Sequence, residues 1–150
     1  MTAIKADARG VVFEIESSTP DTWLTIGATA INTFTKSTSY QTTDTTTYGS
    51  EGQHEEQNME IAKTLQLEGF RLIDPDTGDL DAGQARVEAL AELLSDDSVG
   101  SIRFAHEAET DWEVWNATAQ LGDTGGGNND KVSWSVTFTR TGASTTAAKS

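Results

Sequence analysis

Residues 131–140 read KVSWSVTFTR and contain the most regular alternation of apolar and polar residues in the chain. Four apolar side chains occupy every second position: Val132, Trp134, Val136 and Phe138. The side chains between them are polar or cationic. Successive side chains of a β-strand point to opposite faces, so the pattern predicts a strand with one buried face. The stretch therefore predicts a sheet that covers a core on one side.

The same period of two recurs on both sides of this stretch. It is found in VVFEIES (11–17), in NMEIAKTLQLEG (58–69), in SIRFAHE (101–107) and in DWEVWNATAQ (111–120). In the second of these segments, one face carries Met59, Ile61, Leu65 and Leu67. Lys63 interrupts that apolar face. With WLTIGATAINTFTKS (23–37), the pattern predicts about seven strands.

One segment has a helical period instead. Residues 82–96 place four apolar side chains on one stripe: Val87, Leu90, Ala91 and Leu94. Asp81 is a good N-cap, and Gln84 three residues later is placed to complete a capping box. We therefore expect a mainly β protein, an antiparallel sandwich or barrel flanked by one α-helix.

A long polar connection joins two of the predicted strands. Lys36–Asn58 reads KSTSYQTTDTTTYGSEGQHEEQN and has almost no apolar residues. Connections of this length without structure of their own are usually functional or disordered. We expect residues 37–58 to be a loop that is mobile in the free protein. The final segment, TGASTTAAKS, is also small and polar, which favours a mobile end.

Composition limits the possible functions. The 150 residues suit one domain, and the net charge of −14 disfavours nucleic-acid binding and docking on anionic membranes. The chain contains no cysteine, which excludes disulfides and thiolate metal sites. The N-terminus lacks an apolar signal region, and no apolar run reaches bilayer length. We expect the protein to be made in a cytoplasm and to need no membrane.

No stretch of the chain carries a recognisable catalytic or metal motif. The acidic run from Asp74 to Asp81 departs from the calcium-loop order and favours a turn into the helix. His54 and His106 have no zinc-motif partner, and His106 falls on an apolar strand face. The acidic run Glu107–Glu113 favours a solvated face over a pair of catalytic carboxylates. We therefore predict no enzyme activity, no cofactor and no metal site.

Four stretches, in this order, carry a resemblance to a known family. They are TWLTIGATAINTFTKS (22–37), QTTDTTTYGSEG (41–52), DPDTGDLDAGQARVEALAELL (74–94) and VSWSVTFTRTG (132–142). Together with the strands between them, they cover nearly the whole chain. The chain resembles the major tail proteins, or tail tube proteins, of long-tailed bacteriophages.

The resemblance implies a structural role in a virion tail. Six copies would close into a ring around a lumen, and stacked rings would form the tube through which DNA is ejected. Other phage tail proteins, namely the tape measure, the tail tip and the terminator, would be partners, with DNA as transient cargo. Residues 1–150 would be one tube domain with terminal arms at about 1–10 and 142–150. Host bacterial cytoplasm would be the site of synthesis.

The resemblance also implies that a long loop reaches neighbouring subunits, and in this chain that loop is 37–58. Its candidate contact residues, with the adjoining lysine, are Lys36, Tyr40, Thr43, Asp44, Thr47, Tyr48, Glu51 and Glu55. Tyr40 and Tyr48 are its only sizeable side chains. An acidic lumen would repel DNA phosphates and keep sliding barriers low. Glu60 and Glu68, on the polar face of the following strand, are the candidate lumen residues.

Two other functions remain open from the residues alone. A virion decoration or carbohydrate-binding β-sandwich would use an exposed tryptophan, such as Trp112 or Trp115, to stack on a sugar. A small hydrolase would use the acidic run near residues 107–113.

Overall fold

Eight antiparallel β-strands and one α-helix make up the computed structural model, which describes residues 3–27 and 29–149. The strands are β1 (Val11–Glu16), β2 (Trp23–Thr25), β3 (Ile31–Asp44), β4 (Glu56–Phe70), β5 (Val99–His106), β6 (Asp111–Leu121), β7 (Ser133–Arg140) and β8 (Thr145–Ala148). The helix, α1, spans Ala82–Ala91. Short 3₁₀ turns lie at Ala8–Gly10, Tyr48–Ser50 and Ser95–Ser98. The prediction of a mainly β chain with one helix is confirmed, with eight strands instead of about seven.

All eight strands belong to one sheet with the order β2-β1-β5-β6-β7-β4-β3, and β8 pairs with β6. The sheet curls so that its two ends approach each other. The rings of Phe13 on β1 and Phe34 on β3 meet edge to face with centroids 5.3 Å apart. Within 3–27 and 29–149, no strand pairing joins β3 to β1 or β2. The sheet therefore folds over its own core but is not closed into a barrel.

The core fills the concave side of this sheet. Its largest fully buried members are Trp115, Trp134, Phe138, Ile15, Leu65, Leu67, Leu90 and Ile102. Burial of each such side chain contributes about 1.5–3 kcal/mol relative to exposure. In β7, the predicted inward face is correct for three of its four residues. Val132 precedes the strand and is 46 % exposed.

The helix begins where the sequence predicts. The Asp81 side chain accepts a hydrogen bond from the backbone N–H of Gln84, 3.2 Å away, and another from Gly27 N–H at 3.1 Å. The predicted capping box does not form, because the Gln84 side chain points into the core instead. There it donates to the carbonyl of Phe70 and accepts from the N–H of Leu72. A buried amide with both partners thus ties the helix to the end of β4.

The helix ends at Ala91, five residues before the predicted end at 96. Leu94 lies outside the helix and is 82 % exposed, so the predicted fourth position of the apolar stripe is wrong. Ser95 adopts a positive φ of 57° and starts the 3₁₀ turn. Ser and Asp are poor residues for a helix interior because their side chains compete with helical hydrogen bonds, so the run 95–98 does not favour a longer helix.

The C-terminal segment expected as a mobile arm contains a strand. β7 and β8 flank the same side of β6, at its two ends, with a bend at Gly142, whose φ is +79°. Lys149 donates from Nζ to the carbonyl of His106 at 2.9 Å. Backbone pairing with β6 therefore fixes a segment that composition alone assigned to a free end.

Candidate assembly surface

Strands β3 and β4 extend far beyond the rest of the sheet. β4 pairs with β7 only over residues 64–70, whereas its pairing with β3 continues outward to Glu56. We call residues 37–63 the arm. Its eight outermost β3 residues span about 25 Å at the usual rise of a strand. Every residue from Ser37 to Ala62 is exposed except Thr45 and Ser50, which are half-buried. The arm is thus a two-stranded ribbon with solvent on both faces.

The expectation of a loop without structure over 37–58 was wrong. Residues 37–44 belong to β3 and residues 56–58 to β4, so the connection shrinks to residues 45–55. Threonine has high β-propensity, because its branched side chain suits a pleated surface. Pairing across the ribbon also satisfies backbone N–H and C=O groups without any apolar face. Low hydrophobicity therefore did not mean absence of a strand.

Side-chain hydrogen bonds stabilise the tip of the arm. Thr46 is the centre: its N–H donates to Asp44 Oδ1 at 2.8 Å, and its hydroxyl accepts from Glu55 N–H at 2.9 Å. Ser50 donates from its hydroxyl to Glu55 Oε2 at 2.8 Å and accepts from Thr47 N–H at 3.0 Å. The hydrogen bonds from Thr46 hold the pKa of Asp44 below its ordinary value. These contacts define one conformation for the tip.

The arm carries four large exposed side chains with apolar surface. Tyr48, in the 3₁₀ turn at the tip, is fully exposed, and Tyr40 is 56 % exposed. Met59 and Ile61 are 65 % and 49 % exposed. The alternation of residues 58–69 predicts these last two on the same buried face as Leu65. The structure corrects this, because β7 and the core end at Thr64 and only β3 accompanies the outer half of the strand. Lys63, which interrupts the apolar face in the sequence, marks the boundary between the exposed and the buried half of β4.

Lys36, expected among the contact residues of the loop, is engaged inside the subunit. Its Nζ donates to Glu113 Oε1 on β6 at 3.1 Å, across the concave side of the sheet. It also lies 5.3 Å above the Phe104 ring. The lysine therefore fixes the base of the arm to the body.

Glu113 has a second donor, the indole Nε1 of Trp115 at 2.7 Å. Partial burial raises the pKa of Glu113, but the hydrogen bonds from Trp115 and Lys36 outweigh it, so the pKa lies below its ordinary value. The carboxylate is thus ionised, and each of its oxygens accepts a hydrogen bond. This arrangement is a structural ion pair, unlike the raised pKa expected of a general acid.

The two candidate lumen acids lie on the face of β4 opposite the core. Glu60 pairs in register with Gln41, and Glu68 with Thr33. Alternation along the strand puts both glutamates on one face, away from Leu65. Glu68 accepts from Gln66 Nε2 at 3.1 Å. The expected polar face is therefore present as a row of glutamate, glutamine, threonine and serine side chains.

The two tryptophans proposed for sugar stacking are covered by other side chains of the same chain. Trp115 is fully buried in the core. Trp112 is half-buried, and Arg103 and Lys149 lie 4.5 and 4.9 Å from its ring centroid. Arg103 also contacts the Trp23 ring and pairs with Glu14 at 2.6 Å. These contacts leave no open aromatic platform at either residue.

The residues considered for metal binding serve local structure. The turn before the helix is held by Asp74 Oδ1, which accepts from Asp76 N–H, and by Gly78 at a φ of +78°. His106 Nδ1 accepts from Ala108 N–H, while its Nε2 is buried beside Gly10 without a partner. Among the residues described, no group of three His, Asp or Glu side chains is placed to hold a metal ion. Over the same residues, no helix has the length and hydropathy needed to cross a bilayer.

Comparison with solved structures reveals the same fold in phage-like particles. A chain in the tail of an empty gene transfer agent (GTA) particle, computed with helical refinement in C6 symmetry, aligns with a TM-score of 0.71. It is 15 % identical, and the alignment covers 96 % of this chain and all of the other. This chain shares that tail fold. No protein-family model and no curated protein sequence matches it.

Two further structures agree. A chain in the virion of a native gene transfer agent particle aligns with a TM-score of 0.67 and 15 % identity, over 96 % of this chain and all of the other. A chain in the six-fold symmetrised baseplate of the anti-feeding prophage (AFP) aligns with a TM-score of 0.59 and 11 % identity, over 98 % of each chain. At these identities the likeness concerns the fold.

Proposed function

We propose that this protein is the structural subunit of a phage-type tail tube, which assembles as hexameric rings stacked into a hollow tube. The arm is the observation that carries the proposal. A two-stranded ribbon with no core is marginally stable in water by itself, and an exposed edge strand invites pairing. Four large exposed side chains add a surface that suits a partner subunit. The fold shared with chains of assembled tail and baseplate particles supports the same role.

In this role the arm joins one subunit to the next. The outer edge of β3 offers unpaired backbone groups for strand addition, by which neighbouring sheets would continue around a ring. Its candidate contact residues are the exposed members of the predicted set, namely Tyr40, Thr43, Asp44, Thr47, Tyr48, Glu51 and Glu55. Met59 and Ile61 join them. Lys36 is excluded from this set because its side chain pairs with Glu113 at the base of the arm.

The tube would be an acidic conduit for DNA during ejection from a virion. A net charge of −14 makes the assembled surface repel phosphate, so DNA passes without being held. Glu60 and Glu68 share the polar face of β4 and are the proposed lumen acids. The tape measure, the tail tip and the terminator would be partners in the tail, after synthesis in the host bacterial cytoplasm.

Negative-stain microscopy of the concentrated purified protein tests the assembly. Hollow tubes or six-fold rings are the expected result. Monomers that stay dispersed at high concentration, with or without a tail initiator complex, would contradict the proposal.

The lumen is tested separately. The double charge reversal of Glu60→Lys with Glu68→Lys is expected to leave tubes intact and to impair DNA delivery by particles that carry it. Glu107→Lys with Glu109→Lys, in the β5–β6 turn, makes the same charge change elsewhere and is the matched control. If particles with either double variant deliver DNA equally well, the assignment of Glu60 and Glu68 to the lumen is wrong.

A further inference from the structure

An open groove lies where the two ends of the curled sheet approach each other. It has a volume of about 650 Å³ and runs between the β1–β2 edge and the first residues of β3. Its lining includes Val11, Phe13, Ile26, Ile31 and Phe34. The groove exists because β3 meets β1 through side chains alone, without backbone pairing. It is an apolar slot on the surface of the body.

One cation lies at this groove. Arg9, in the 3₁₀ turn before β1, is the only ionisable residue in the lining and is exposed. Across residues 3–27 and 29–149, no carboxylate lies within 4.0 Å of its guanidinium. Other described arginines have partners, such as Arg71 with Glu88 and Arg103 with Glu14. A mainly apolar slot, whose lining also includes Thr25, Asn32 and Thr33, beside an unpaired arginine suits an occupant with an apolar or aromatic group next to an acid.

The tip of the arm has that combination. Tyr48 is fully exposed, and Glu51 follows it at the end of the same 3₁₀ turn. Residues 44–56 contain four acids, Asp44, Glu51, Glu55 and Glu56, and no lysine or arginine. A tyrosine gives a large contact area at low cost in conformational entropy, which makes it a frequent anchor at interfaces.

A subunit's own tip is too far from its own groove. Phe34 lines the groove, and Asp44 ends the same strand ten residues later, about 33 Å away at the usual rise. The tip of one copy is therefore available only to the groove of another. Such a contact joins two different surfaces, so it repeats from copy to copy and generates rings or helical filaments.

We propose that Tyr48 of one copy inserts into the groove of a second copy, where Glu51 pairs with Arg9 of that second copy. The inference rests on the proposed tube assembly and deepens it by naming the receptor for the arm. The N-terminal segment, with exposed Ile4, is a rival occupant, but Lys5 directly follows Ile4 and would bring a second cation to Arg9, with Asp7 further along.

Disulfide trapping tests the contact directly, because the chain contains no natural cysteine. Gly49→Cys, which keeps Tyr48 and has room for a side chain, in one preparation and Asn32→Cys, in the groove lining, in another are mixed, assembled and oxidised. A cross-linked dimer is expected on a non-reducing gel. Gly49→Cys mixed with Asp97→Cys, an exposed site outside the groove, is the matched control. A dimer of equal yield in the control, or none with Asn32→Cys, overturns the proposal. A dimer that forms between the Ile4→Cys and Asn32→Cys preparations, without any dimer between the arm-tip and Asn32→Cys preparations, also overturns the proposal.

A charge exchange tests the ion pair without cysteine. Arg9→Glu is expected to raise the concentration needed for assembly at least about tenfold, because it places like charges together at the contact. Arg9→Glu combined with Glu51→Arg should restore assembly, whereas Lys131→Glu should have little effect. Failure of the exchange to restore assembly overturns the proposed pair. If the wild-type protein forms tubes but the cysteine variants give no cross-link, this inference alone is contradicted, whereas absence of any wild-type oligomer contradicts the proposed function as well.

Discussion

The two halves of strand β4 differ in both pairing and burial. Residues 64–70 lie between β3 and β7, with Leu65 and Leu67 fully buried. Residues 56–63 have β3 on one side only, Ile61 continues the same face into solvent, and Met59 is exposed at an irregularity of the pairing just beyond it. The inner half belongs to a body with its own core. The outer half belongs to an arm whose apolar residues are exposed and lie outside the buried core cluster.

The difference separates two kinds of stability. The body is stabilised by burial of its own side chains, so changes there should alter folding. The arm is held by backbone pairing and by the hydrogen bonds of its tip, so changes at its proposed contact residues should alter assembly and leave folding almost unchanged. Each prediction below would weaken or strengthen that separation.

The largest effect is expected from Trp115→Ala in the core. Removal of a fully buried tryptophan leaves a cavity and should lower the free energy of unfolding by about 3–5 kcal/mol. Urea denaturation followed by circular dichroism measures it. Tyr48→Ala, a truncation of another aromatic residue, is the control and should lie within about 0.5 kcal/mol of wild type. Similar losses in both variants would abolish the distinction between body and arm.

Gln84→Leu should have the next largest effect. The substitution keeps the side-chain size but removes the partners of the Leu72 N–H and the Phe70 carbonyl. Each buried group left without a hydrogen bond costs about 1–3 kcal/mol. Relative to wild type at the same pH, Gln84→Glu should show an intermediate loss in acid, where a protonated carboxyl still accepts from Leu72 N–H and donates to the Phe70 carbonyl. Its loss should be larger at high pH, where the buried carboxylate is charged and cannot donate. A more stable Leu variant would contradict the role of this amide.

Lys36→Met tests the junction between arm and body. Both partners of the ion pair are about one-third exposed, with side-chain exposures of 36 % and 30 %, so the loss at neutral pH should be only about 0.5–1 kcal/mol. Because the folded-state pKa of Glu113 is lowered, its contribution is complete above the ordinary unfolded-state pKa. It is lost as the pH falls through the lower folded-state pKa. The stability difference between wild type and Lys36→Met should therefore shrink in acid, and a constant difference from pH 7 to pH 2 would disprove the pairing.

Sequence pattern was sufficient for most of the body. Period-two alternation located β1, β5, β6 and β7, because each has one face on the core. The helix start followed from Asp81, a side chain that caps through a local contact. Its end was less predictable, since Leu94 continues the helical stripe and only the tertiary structure shows that nothing covers it.

The arm was harder to predict for a physical reason. A ribbon such as residues 37–44 buries nothing, so hydropathy has no signal there, and only the many threonines favour a strand. Alternation in β4 correctly indicated a strand but did not indicate what its apolar face contacts. Met59 and Ile61 show the same pattern whether the partner is the core or a second copy. The pairing of Lys36 with Glu113, 77 residues later, has no local signal at all.

Replacement of the arm tests the central claim most directly. Tyr40–Ile61 would be exchanged for Asn-Gly, a favoured two-residue hairpin turn, to join the register partners Ser39 and Ala62. Thermal unfolding and negative-stain microscopy would be measured on the same preparation. We predict a cooperative transition within a few degrees of wild type and no rings or tubes. Normal tubes from this variant, or a chain that no longer folds, would contradict the claim that the arm serves assembly and the body serves folding.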